Sequence, residues 1–319
     1  MRSSAAAKPA RWRAGLLAVV LAALAGCASV PGPEYGRGVA PARAELTAVP
    51  FLPQEDHQCG PAALATALQA VGLERTPAQL VDQVYLPQRQ GSLQVELLGA
   101  SRRAGAVPYV LRNDPDDLLR EVAAGHPVVV LQDVGLPLLP QWHYAVVVGY
   151  DLAERTLVLR SGTVRRLVMP LAAFDRSWAR SGRWAFVALP PDRLPATARE
   201  ADYVAAAAAF ERVQPALAPR AYETALRAWP DSLFARLALG NAAYRRHDLA
   251  TARTHYEQAT REHPESGDAW NNLAQVLADL GRRHEALRAA QRAVAIGGPH
   301  AATYADTLRG VEPAGAQAN

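Results

Sequence analysis

Gln54-Glu55-Asp56-His57-Gln58-Cys59-Gly60-Pro61-Ala62-Ala63 is the stretch on which the reading of this chain turns. The chain has two cysteines, Cys27 and Cys59, and Cys27 sits in an export signal. Cys59 is therefore a thiol without a disulfide partner. Pro61 suits the first turn of a helix, and Leu64, Leu68 and Val71 recur at helical spacing up to Gly72, so Cys59 stands where that helix begins. The positive end of the helix dipole favours thiolate over thiol there by about 1 kcal/mol, and a histidine is needed to make the thiolate persist. Two histidines compete. His57, two residues away, reaches the sulfur awkwardly from the preceding turn; His143 heads a strand 84 residues on. The separated Cys-then-His order favours His143 as the base. Gln54, five residues ahead of Cys59, is spaced to offer its amide to an oxyanion beside the Cys59 backbone N–H. On its own, a cysteine at a helix start is more often a small core residue; the companions change that balance.

Upstream, Arg2, Lys8, Arg11 and Arg13 precede a short apolar core, Gly15 to Ala23, too short to span a bilayer as a mature helix. It runs into Leu24-Ala25-Gly26-Cys27, which resembles the lipobox of bacterial lipoproteins. That resemblance implies cleavage before Cys27 and its lipidation, and Ala28 after it favours the outer membrane. The expected location is the cell envelope, facing the periplasm.

The net charge of +4 includes the basic start, and Lys8 is the only lysine. The later arginines alternate with acids along helical segments, which reads as solvated faces and not as a nucleic-acid stripe. With no zinc-type Cys/His cluster and no Gly-rich phosphate loop, no cofactor is expected.

Six segments are expected: a signal peptide over 1–26, a tether over 27–48, a compact domain over 49–191, a linker over 192–200, a helical region over 201–310 and a disordered tail over 311–319. In the compact domain helices come first. Thr76-Pro77 opens a second, Ser92 caps a third that closes at Gly105, and Asp114-Pro115 opens a fourth, stopped by Gly125. The runs Pro127–Leu131, Tyr144–Val148, Thr156–Leu159 and Trp184–Leu189 then read as strands, with a hairpin over Asp151 to Arg155. The pattern is α+β, helices followed by an antiparallel sheet.

The helical region repeats. Tyr222 and Tyr256, Pro230 and Pro264, Leu239 and Leu273, and Ala252 and Ala286 are each 34 residues apart, as are Ala225, Ala259 and Ala293 in succession. With Trp270 and Gly240, these positions resemble tetratricopeptide repeats, two clear and a first one degenerate with Pro215 and Pro219. A protein partner through the repeats is expected.

Gln54 with Gln58-Cys59-Gly60-Pro61-Ala62, the Gly125–Val130 strand, and Trp142-His143-Tyr144 through Gly149-Tyr150 together resemble the bacteriocin-processing, double-glycine peptidase family of papain-like cysteine peptidases. The resemblance implies a papain-like domain with Cys59 as nucleophile, His143 as base and then acid, Gln54 as oxyanion donor, and a peptide or protein substrate. The family places an Asp or Asn about 16 or 17 residues after the histidine; here that stretch reads Leu159-Arg160-Ser161-Gly162. Ser161 offers a weaker acceptor, and Asp151 lies at the tip of the expected hairpin, far from His143. The expected function is a lipid-anchored envelope cysteine peptidase. The competing one is an inactive peptide-binding scaffold, which the Arg160-Ser161 departure supports. His126, His57 and the histidines of the repeats read as surface or packing residues, Asp56 as a solvated loop acid, and Trp142, Trp178 and Trp184 as core or cleft wall.

Overall fold

The structure is a computed structural model; it describes residues 35–312 apart from positions 37, 40, 56 and 137. The export signal, Cys27 and Asp56 lie outside the described residues.

The sheet is antiparallel and built around one long strand. In chain order the strands are β1 (Arg43–Glu45), β4 (Val107–Val110), β5 (Val128–Asp133), β6 (Trp142–Asp151), β7 (Thr156–Ser161), β8 (Val164–Pro170) and β9 (Ala185–Leu189), with a separate small pair, β2 (Tyr85–Leu86) and β3 (Gly91–Ser92). The main sheet runs β4-β9-β5-β6-β7-β8, and β1 pairs with β6 where β5 has ended. Expected runs account for β5, β6, β7 and β9, and the hairpin after Asp151 forms as read. Three strands of the main sheet lie outside those readings, as does the small pair β2 and β3. β4 contains Pro108, which a sheet tolerates at an edge, and β4 is an edge. β8 is mostly exposed, with Arg165 and Arg166 in a pattern too polar to read as a strand. β1 falls inside the expected tether. That tether is packed from Tyr35 onward: Gly36 N donates to Asp116 Oδ1 at 2.7 Å and Tyr150 Oη to the Pro41 carbonyl at 2.7 Å.

Both sheet faces are covered, which is why β5 is buried at every position and β6 from Tyr144 to Tyr150, without an apolar–polar alternation. Tyr144, Val146 and Val148 turn to one face, under α1 (Cys59–Ala70), α2 (Pro77–Val84) and α3 (Gln94–Arg103). Ala145 and Val147 turn to the other, with α4 (Pro115–Ala123) and α5 (Leu171–Ala179). Thr76 closes a capping box with Gln79, and Asp114 Oδ1 accepts from Asp116 N at 2.9 Å. The third helix departs from expectation: its N-cap is Leu93, and Ser92 is in β3 instead of capping.

The helical region is α6 (Glu200–Glu211), α7 (Ala218–Ala228), α8 (Leu233–Arg245), α9 (Leu249–Glu262), α10 (Gly267–Asp279), α11 (Arg283–Ile296) and α12 (Ala301–Val311). Its period extends to the caps: Ser232 Oγ accepts from Ala235 N and Ser266 Oγ from Ala269 N, 34 residues later. Val311, expected in the tail, is buried at the end of α12. Tyr203, Phe210, Tyr222 and Ala235 share one core with α4, α5 and their sheet face, so the degenerate first repeat completes the sheet's second cover. The stretch expected as a linker is pinned to that cover. Glu121, fully buried, accepts from Thr197 N (2.7 Å), Thr197 Oγ1 (2.6 Å) and Ala196 N (3.1 Å), and its other neighbour is His126 Nδ1 at 2.7 Å.

Candidate active site

α1 starts at Cys59, and its N-cap, Gln58, contributes no side-chain cap. The first backbone N–H groups of a helix have no intrahelical partner, so those of Cys59 and Gly60 remain available to a ligand or to the sulfur. Gly60 is required by packing. A Cβ there would stand 2.4 Å from Ser92 Oγ and 2.6 Å from Ser92 Cβ, because β3 presses on the first turn of α1. Pro61 costs the helix nothing at this position, where an N–H would be unpaired anyway.

His143 is the second residue of β6 and faces the same cleft as Cys59. The backbone N–H of Tyr144, next along β6, points at the Cys59 sulfur. The paired run of β6 with β7 ends at Val146–Arg160. Just past that end, Ser161 Oγ lies 2.8 Å from His143 Nε2. Gly162 O, one residue further, accepts from Gln54 N at 3.3 Å, which ties the Gln54 loop to the same turn.

Arg160 holds that loop from below. It is 6% exposed, and its guanidinium donates to the Val49 carbonyl through Nε (3.3 Å) and Nη2 (3.2 Å) and to the Arg165 carbonyl through Nη1 (2.8 Å). Burial pushes its pKa down, the nearby cation Arg165 adding to the effect. Sequence reasoning saw Arg160 only as a missing acid. Its partners are carbonyls, one of them 111 residues away, and no motif announces that.

Cys59, His143 and Gln54 line one cleft of about 900 Å³, with Trp142, Tyr144 and Ser92 among its walls. Trp142 is cleft wall, whereas Trp178 is fully buried core. His57 also lines the cleft, from a turn with φ of 61°. Asp151 is not part of the site. It ends β6 eight residues beyond His143, about 26 Å along an extended strand. There it accepts from Ala153 N and Glu154 N, both at 3.0 Å, closing the hairpin, and faces Arg43 at 3.7 Å.

The electrostatics differ from the expectation of a thiolate favoured by the helix dipole and made persistent by a histidine. Burial pushes the Cys59 thiol pKa up, against the backbone N–H groups of Tyr144, Gly60 and Cys59 itself, which lower it. Burial pushes the His143 imidazole pKa down. Desolvation thus disfavours the charged form of each group taken by itself. Among the described residues no His, Cys, Asp and Glu group is arranged to hold a metal ion.

An antiparallel sheet between helical layers, with a thiol at a helix start and an imidazole on a central strand lining one cleft, is the architecture of a papain-like cysteine peptidase domain. The family model described as "Peptidase_C39 like family" matches residues 46–186, and one described as "Tetratricopeptide repeat" matches residues 237–302. The chain thus carries a C39-like peptidase domain followed by tetratricopeptide repeats. Among solved structures, the chain is similar to the peptidase domain of Streptococcus ComA, described as a bi-functional ABC transporter involved in a quorum-sensing pathway. That likeness has 22% identity and a TM-score of 0.37, covering 44% of this chain and 98% of that one. It is also similar to a putative C39-like peptidase from Bacillus anthracis, with 17% identity and a TM-score of 0.39, over 46% of this chain and 97% of that one. No curated protein matches the chain.

Proposed function

We propose that this protein is a cell-envelope cysteine peptidase, lipid-anchored at Cys27, that hydrolyses a peptide or related amide bond through a thioester on Cys59. The observation that carries the reading is the single cleft shared by Cys59 and His143, with His143 Nε2 against Ser161 Oγ at 2.8 Å. If Nε2–H is donated to Ser161, Nδ1 keeps its lone pair for the thiol proton. The sulfur then attacks the scissile carbonyl carbon as that proton moves to His143. The oxyanion is met by the Cys59 backbone N–H and the Gln54 amide. His143 returns the proton to the leaving amine, and a water activated by the same imidazole releases the acid and regenerates the thiol.

The repeats are read as a surface for a protein partner, and the anchor as what holds the cleft in the envelope. The competing reading is a peptide-binding scaffold without turnover. The hydroxyl of Ser161 standing where the family has a carboxamide or carboxylate, together with the raised thiol pKa, favours it. Comparing envelope peptides from cells with the wild-type protein and with Cys59→Ala separates the two. Fragments present only with the wild type support the peptidase. Identical peptide pools, with substrate-like peptides retained by both proteins, favour the scaffold. Cys27→Ala tests the anchor: loss of the protein from the detergent phase is expected, and unchanged partitioning would refute it.

A further inference from the structure

The cleft that holds Cys59 and His143 is lined by Arg89, Arg180 and two histidines and, among the described residues, by no aspartate or glutamate. The two arginines differ. Arg180 Nη1 donates to Asp133 Oδ2 at 3.3 Å and to the Gly135 carbonyl at 2.8 Å, so its charge is answered from beneath the rim. Arg89 is exposed at the end of the short turn Pro87–Arg89, between β2 and β3, and has no hydrogen-bond or ion-pair partner among the described residues. Ser92, three residues on, packs against the first turn of α1 at Gly60, so the turn that carries Arg89 lies beside the helix that begins at the nucleophile.

The backbone adds to the same field. α1 and α3 both begin at the cleft, at Cys59 and at Leu93-Gln94, and neither N-cap supplies a side-chain acceptor. Both helices therefore turn positive dipole ends toward it, α1 with its first N–H groups directed at the sulfur. Glu96, in the first turn of α3, does not line the cleft. Positive groups in a concave, partly desolvated site raise the local concentration of anions and reject cations, and Arg89 is the cation here that no described carboxylate answers.

We propose that the cleft selects peptides bearing a carboxylate close to the scissile bond, on an Asp or Glu side chain or at the chain's C-terminus, and that Arg89 is the residue that reads it. This rests on the cleft being the peptide site of the proposed function. Arg89 offers its planar donor fork, unused among the described residues, to a carboxylate geometry that it can meet in bidentate fashion. It binds substrate and stands outside the proton-transfer chemistry.

The test separates recognition from turnover by measuring binding to full-length Cys59→Ala, with fluorescent hexapeptides as probes. The peptides form matched sets: Glu, Gln or Lys at each position, and free acid or amide at the C-terminus. A preference of about 3- to 10-fold for the acidic member is expected, the range of one partly exposed Arg–carboxylate pair. The Glu/Gln sets report a side-chain carboxylate and the acid/amide sets a terminal one. Arg89→Gln should abolish the preference, and Arg89→Glu should turn it toward the Lys peptide, while near-identical circular dichroism shows the fold intact. Equal binding of Glu, Gln and Lys peptides, no binding of any, or a preference that survives Arg89→Glu would overturn the proposal. Hydrolysis by the wild-type protein is scored separately: selective binding without turnover leaves the recognition standing and removes the peptidase.

Discussion

His143 Nε2 and Ser161 Oγ lie 2.8 Å apart, so a hydroxyl fills the position next to the imidazole. A neutral acceptor orients the ring but does little to stabilise the imidazolium. Ser161→Ala removes one hydrogen bond of about 1 kcal/mol, and kcat/KM should fall about 5- to 10-fold with KM little changed. Ser161→Asp introduces an opposite charge, which raises the imidazole pKa and moves the acid limb of the pH–rate profile upward. An unmoved limb in Ser161→Asp would show that the serine does not face the working imidazole.

Burial acts on the nucleophile and base in opposite directions, and the pH dependence follows. The thiol lies above its ordinary value near 8.5 and the imidazole below its ordinary value near 6.5. Iodoacetamide labelling of Cys59 in the empty cleft should therefore have its midpoint above that of a free cysteine. The acid limb of kcat/KM should fall below the usual imidazole range. For stability, the folded imidazole binds its proton less readily than the unfolded one. Its contribution is present above the unfolded pKa and is lost as pH falls through the folded one. A labelling midpoint near pH 6 would mean a preformed ion pair and would contradict this account.

Arg160 is buried, and its guanidinium makes three donated bonds, all to carbonyls. Arg160→Ala strands the Val49 and Arg165 carbonyls and frees the loop that carries Gln54. We expect a loss of about 2–4 kcal/mol of stability, measured by urea denaturation. Arg160→Lys keeps the charge but cannot span both carbonyls, and should recover only part of it. Full stability in Arg160→Ala would refute the anchoring role.

Gly60 and Ser92 form a close pair, the added Cβ standing 2.4 Å from the hydroxyl. Gly60→Ala should destabilise the domain by about 1–3 kcal/mol and slow Cys59 alkylation as the first turn of α1 shifts. Gly60→Ala with Ser92→Gly empties the contact and should restore most of the loss in both thermal melting and labelling. Failure of the double variant to recover would place the strain elsewhere.

Glu121 joins three donors from residues 196–197 and His126, all within 3.1 Å, in a fully buried position. Glu121→Ala leaves these donors unpaired at the seam between the peptidase layers and the first repeat, at a cost of about 3 kcal/mol or more. Limited proteolysis should then cut near residues 192–200, where the wild-type protein resists. Equal resistance in the two proteins would show that the shared core alone holds the seam.

Much of this was readable from local pattern. The Pro61–Gly72 helix, the capping signals at Thr76 and Asp114, the β-branched runs and the 34-residue spacing are each short-range preferences that tertiary packing had no reason to override. Strands that depend on a neighbour were not readable: β1 exists because β6 outlasts β5, and β8 because β7 turns back. Ser92 illustrates the same limit. Its cap-like place before Leu93 is real, but β3 pairing with β2 takes its backbone first.

What the sequence alone determined is the set of chemical actors: a thiol at a helix start, a histidine heading an apolar strand, a glutamine upstream, and repeats that must stack. Only the folded chain decided how they work together. It brought Ser161 to the imidazole, sealed Arg160 under the Gln54 loop, carried Asp151 to the far end of its strand and made the first repeat part of the peptidase core. The reason is physical: burial and through-space contacts depend on which distant segments close over a side chain. Those closures set its charge, its partners and its reach, and no run of neighbouring residues encodes them.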